Sequence, residues 1–177
     1  NRAEEILNRY LPEPQNSRSD VHDFLGGVDV HGVSWTTTRL LWGFVPDRER
    51  LRVDLEARGR GRAQTTASQG SVRTFNRGLS TFEAKKRIIF DKGGLKTENA
   101  VATASSSTNI TGIKTNYDGL PLIGALARSV ARSRADERKM DAQVAIRRRV
   151  AEATENRLDR EVEQRMGQLE KQYNDLV

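Results

Sequence analysis

The last third of the chain carries apolar residues at three- and four-residue steps, and this periodicity constrains the fold more than any other feature. Between Leu122 and Leu176 there is no proline. Only Gly124 and Gly167 interrupt a run in which Val144, Val150, Leu158, Val162, Met166, Leu169, Tyr173 and Leu176 recur along one stripe. The pattern predicts one long helix over residues 120–177. At a rise of about 1.5 Å per residue, about fifty residues span about 75 Å, more than the diameter of a domain this size. Part of the stripe must therefore meet another helix, another chain or a flanking segment.

From Leu158 onward the apolar steps are four, four, three, four and three, which follow a coiled-coil seam. Leu158, Val162, Met166, Leu169, Tyr173 and Leu176 are thus the expected self-association residues, with a homo-oligomer or a partner helix as the expected partner. The competing expectation is that the helix folds back on its own body.

The body, residues 28–119, changes period. Val33, Trp35 and Thr37 alternate on one side, and Leu40, Trp42 and Phe44 on the other. This predicts a strand with a bulge near residues 38–40, or one covered on both sides. Leu51, Val53, Leu55 and Ala57 alternate with Arg52, Asp54, Glu56 and Arg58 and read as a half-buried strand. Asn76-Arg77-Gly78 reads as a hairpin turn, Asp91-Lys92-Gly93-Gly94 as another. Residues 95–116 are rich in Thr, Ser and Ala, and predict a strand with little to bury. Ahead of the body, residues 2–11 and Val21, Phe24 and Leu25 have helical spacing, so residues 1–27 are expected to form a short N-terminal helical arm with a polar linker. The fold class expected is α+β: an antiparallel meander of about five or six strands, the N-terminal arm and the long C-terminal helix.

Hydrophobic residues make up 36% of the 177 and charged residues 31%, which suits a modest core with an extended solvated helix. The net charge of +6 sits in the body, where residues 26–119 hold fifteen basic and nine acidic groups. The tail is nearly balanced, with twelve basic and ten acidic groups in residues 120–177. A basic body suits nucleic acid, anionic lipid or an acidic partner. No stretch approaches the roughly 20 apolar residues of a membrane span, and the absence of cysteine excludes disulfides and thiolate chemistry. The start within a helical pattern and the end without a stop signal point to a fragment. The polar strands point to an extracytoplasmic, cell-envelope setting.

Arg58, Arg60 and Arg62, spaced by glycines, are the candidate anion or nucleic-acid contact. Such segments act in several copies with aromatics between them, whereas this one is single, so the bland reading is a basic strand end. Trp35, Trp42 and Phe44 are the candidate lining of an apolar groove for a ligand such as lipid, against a simple core role. Lys85-Lys86-Arg87 reads as charge that blunts a sheet edge, with an anion site as the alternative. Arg147-Arg148-Arg149 reads as a solvated helix face. His22 and His31 lack a third ligand at metal spacing, and Asn109-Ile110-Thr111 is a short glycosylation sequon. No nucleophile elbow or phosphate-cradling loop is present. The sequence therefore points to a non-enzymatic structural or interaction protein without a cofactor, assembling through its C-terminal helix. The alternatives are a module that encloses an apolar ligand and a nucleic-acid binder acting through its basic body.

Overall fold

The computed structural model describes residues 9, 11, 13–25, 27–91, 94–137 and 139–174. Six strands come first: β1 (Gln15–Leu25), β2 (Val28–Val45), β3 (Leu51–Gln69), β4 (Val72–Asp91), β5 (Gly94–Thr97) and β6 (Val101–Thr115). Two helices follow, α1 (Pro121–Glu137) and α2 (Lys139–Asn174). The strands form one antiparallel sheet in the order β1-β2-β3-β4, with β5 and then β6 beside β4.

The N-terminal helical arm is not what these residues build. Gln15–Leu25 is a strand paired throughout with Thr38–Val28. The helical expectation there rested on three apolar residues, and the long β2 partner outweighs so weak a local signal. Gly27, with φ 81°, sits in the hairpin turn and does not end a helix. The helix expected over residues 2–11 falls almost wholly outside the described residues. The single long tail helix is described as two, α1 and α2.

β3 extends well beyond the alternating run of residues 51–58, because its pairing with β4 runs unbroken from Leu51↔Phe90 to Gln69↔Val72. The turn between them is Gly70-Ser71, with φ 57° at the glycine. Asn76-Arg77-Gly78, expected as a hairpin turn, lies inside β4 next to a bulge at Phe75/Asn76. β2 pairs with β3 without a register shift, so no bulge occurs near residues 38–40. Its large side chains lie on both faces.

The inner face carries the core: Val53, Leu55 and Ala57 from β3, Phe82, Ala84 and Ile88 from β4, Ala100, and Leu158 and Val162 from α2. Leu40 and Trp42 pack against it. Burial of Val53 and Leu55 agrees with the expected register. The small side chains of β6, expected to bury little, let α2 approach closely, and α2 fastens to that end of the sheet. Asp159 accepts from the Ala100 N–H at 3.0 Å, and Glu155 from the Ala102 N–H at 2.8 Å. Two helix carboxylates thus satisfy outward N–H groups of an edge that would otherwise be open. On its other side α2 reaches β1, where Arg149 pairs with Asp23 and Arg157 donates to Gln15. The sheet curls around α2 far enough for both edge strands to meet it.

Candidate functional site

α1 is mounted the wrong way round for a core helix. Its small side presses on the protein: Gly124 and Ala131 are buried, and Ala127 and Ala135 are half-buried. A side chain at Gly124 would strike the Tyr117 carbonyl oxygen at 2.6 Å. The large apolar side faces solvent, with Leu122 88% exposed, Leu126 69%, Ile123 54% and Val130 47%. Steps of four place Leu122, Leu126 and Val130 in one row, with Ile123 beside it. Tyr117 and Leu120 at the helix entrance are exposed too, as are Met140 and Val144 at the start of α2. Contiguous exposed apolar surface of this kind makes the outward face of α1 the candidate site.

A clamp holds α1 in this pose. The Asp118 carboxylate accepts from the Thr115 hydroxyl at 2.8 Å and from the Arg128 guanidinium at 2.8 Å. The Thr115 hydrogen bond, aided by Arg128, holds the Asp118 carboxyl below the usual carboxylate range. Beside the clamp a cleft of about 430 Å³ opens between β6 and α1, lined by Ile113, Ala125, Arg128, Ser129 and Arg132. From Pro121 to Ala135 the helix carries Arg128, Arg132 and Arg134 and no acid.

The seam expected for self-association is divided by the fold. Leu158 and Val162 are buried in the core of their own sheet. Their positions are spent on intramolecular packing. Met166, Leu169 and Tyr173 lie in α2 with side chains outside the described part, and Leu176 is outside the described residues. Nor does the fold bring Trp35, Trp42 and Phe44 together. Trp42 packs on the core, Phe44 shares its face by alternation, and Trp35 points out of the opposite side of β2. Arg58, Arg60 and Arg62 all project from the outer face of β3, while Gly59 and Gly61 face inward. The Phe82 ring lies so close over Gly59 that a side chain there would meet it at 2.1 Å.

Lys85-Lys86-Arg87 does not blunt an edge, because β4 is flanked by β3 on one side and by β5 and β6 on the other. Lys85 and Arg87 instead neutralise outer-face acids, Lys85 pairing with Glu56 at 3.1 Å and Arg87 with Asp54 at 2.9 Å. Lys86 is buried inward on Asp159 at 2.5 Å. Arg147 and Arg148 are exposed, as expected of a solvated face, whereas Arg149 departs from that expectation by pairing with Asp23 of β1. His22 and His31 are cross-strand partners, with Asp29 3.8 Å from His31. Among the described residues no group of three or more His, Asp or Glu side chains is placed to hold a metal ion.

The sequence places residues 121–137 in the tail helix but does not show the outward apolar face of α1, because these residues read as one more part of the tail stripe. The signal available was the row of small residues Gly124, Ala127, Ala131 and Ala135, which marks a close-packing face. The sequence matches no known protein family and no curated protein.

Proposed function

We propose that the chain is a non-enzymatic interaction module that seats on an anionic lipid surface through the outward face of α1. The observation that carries this reading is the inversion of α1, with its small residues turned inward and Leu122, Ile123, Leu126 and Val130 in solvent. A helix with one apolar face and arginines along its flanks suits the interface plane of a bilayer. Among the described residues no helix is long and apolar enough to cross a membrane. Arg132 and Arg134 flank the apolar face, and the adjoining cleft with Arg132 and Ser129 has room for a phosphate headgroup.

Co-sedimentation with vesicles tests the proposal. The chain is expected to pellet with mixed phosphatidylglycerol and phosphatidylcholine vesicles, and far less with phosphatidylcholine alone. Leu122→Glu with Leu126→Glu should abolish pelleting and leave the thermal melt unchanged, since neither side chain packs on the body. Arg132→Ala should weaken binding to the anionic vesicles about fivefold, the worth of one basic residue near such a surface. Failure of the unaltered chain to pellet at low salt would sink the proposal.

Self-assembly through the C-terminal helical segment is the second reading, favoured by the exposed Met140 and Val144 next to α1. It expects a lipid-free oligomer by light scattering that the same double variant dissociates.

A further inference from the structure

The outer face of the sheet divides into two electrostatic territories. At one end three bases meet three acids. Asp54, only 3% exposed, takes Arg87 at 2.9 Å and Lys85 at 3.6 Å. Glu56 takes Lys85 at 3.1 Å and Arg58 at 3.0 Å, and Glu83 lies 3.7 Å from Arg58. In the middle the balance disappears. Arg18, Arg39, Arg60, Arg62 and Arg77 are exposed, and none is ion-paired to a described residue. The acids at the rim are Asp20, two residues along β1 from Arg18, and Glu83, already beside Arg58.

The strand register shows how these five converge. Arg18 on β1 is the partner of Trp35 on β2, Trp35 of Arg62 on β3, and Arg62 of Leu79 on β4. One row across four strands therefore reads Arg, Trp, Arg, Leu. Arg60 pairs with Thr37 in the next row, Arg39 with Arg58 in the row after, and Arg77 with Gln64 on the other side. With strands about 4.8 Å apart and same-face residues about 6.7 Å apart, the five guanidiniums arise from a patch about 15 by 20 Å. Within it Trp35 is 42% exposed, and Leu79 at the β4 border is 52% exposed. A bulky aromatic left open between two unpaired arginines is not a core residue. The glycine-spaced arginines of β3 looked like a single weak copy in the sequence. The fold supplies the missing copies from β1, β2 and β4, and the missing aromatic.

We propose that this outer-face platform binds single-stranded nucleic acid. Arginines without carboxylate partners offer bidentate donors to successive phosphates, and Trp35 offers a face on which an unpaired base stacks. Thr37 and Thr81 flank Arg60 in its row, and Ser105 and Ser107 carry the two rows onward onto β6. Duplex fits less well, because its bases are already stacked and Trp35 would have no partner. The platform is independent of α1, which packs at the inner side of β6 against Ile113.

Fluorescence anisotropy with labelled oligothymidylate of about 20 nucleotides, titrated at several salt concentrations, tests this. Five phosphate contacts predict a log–log salt slope of about −3.5, and Arg60→Ala, Arg62→Ala and Arg77→Ala together should reduce it to about −1.4. Trp35→Ala should weaken binding about tenfold to a hundredfold at unchanged slope, and Trp35→Phe should keep most of the affinity. Leu122→Glu with Leu126→Glu, which removes the apolar face of α1, should leave oligonucleotide binding intact. Circular dichroism of each variant should match the unaltered chain, since all four side chains are on the solvated face. No binding at low salt overturns the proposal. So does binding that survives the triple arginine variant, and so does a platform that loses anionic vesicles and not oligonucleotide when the arginines are removed.

Discussion

Lys86 is 1% exposed and reaches through the core to Asp159, which is itself about a quarter exposed and also accepts the Ala100 N–H. The two partners are therefore unequal. Asp159→Ala leaves an ammonium in the core with no counter-charge and orphans an edge N–H, whereas Lys86→Met leaves a carboxylate that keeps one hydrogen bond and some water. Removing one member of a buried pair costs about 3–5 kcal/mol, and the cost is expected to fall more heavily on Asp159→Ala. The double variant Lys86→Met, Asp159→Leu should recover much of the loss, because a packed apolar pair avoids the desolvation of both charges. Urea denaturation of the three variants checks the order. Equal losses for the two single changes would show that Lys86 is hydrated in solution.

α1 depends on a clamp that a proton can open. The folded Asp118 carboxyl is held below its ordinary value of 3.8 by the Thr115 hydroxyl and Arg128, so its contribution is fully present above that value. The contribution is lost as pH falls from there through the lowered folded value. Amide hydrogen exchange along α1 should accelerate in that acid window relative to the strands, and Asp118→Asn should show the faster exchange already at neutral pH. An unchanged α1 pattern in Asp118→Asn would mean that the small-residue packing alone holds the helix.

The elements themselves were unequally legible in the sequence. Val53, Leu55 and Ala57 alternate so strictly with charge that the register of β3 was readable from its own residues. β1 was not, because Val21, Phe24 and Leu25 satisfy a helical spacing as well as an alternating one, and only the pairing with β2 decides between them. The Asn76-Gly78 turn misled for a related reason. Turn-forming residues inside a long strand mark a bulge as readily as a hairpin, and the strand's length is fixed by a partner far along the chain. The arginine platform was unreadable because its members come from four strands and meet only through register.

The core joins the sheet to α2 through Leu158 and Val162, so the molecule is expected to fold as one unit in spite of its separate sequence patterns. The chain contains two tryptophans, and Trp42 packs against that core while Trp35 is exposed. In a Trp35→Phe background the fluorescence reports Trp42 alone, and circular dichroism at helical wavelengths reports α1 and α2. The two signals should melt with one midpoint. Leu158→Ala removes a side chain that is 3% exposed between helix and sheet. It should cost about 2–5 kcal/mol of a total of about 5–15. Because α2 also joins both sheet edges through Arg149, Glu155 and Asp159, the loss should move both signals down together by the same number of degrees. A helix signal that melts first in Leu158→Ala, with Trp42 fluorescence unmoved, would show that the sheet holds its curl without α2, and that the helix is an attachment to the core and not a part of it.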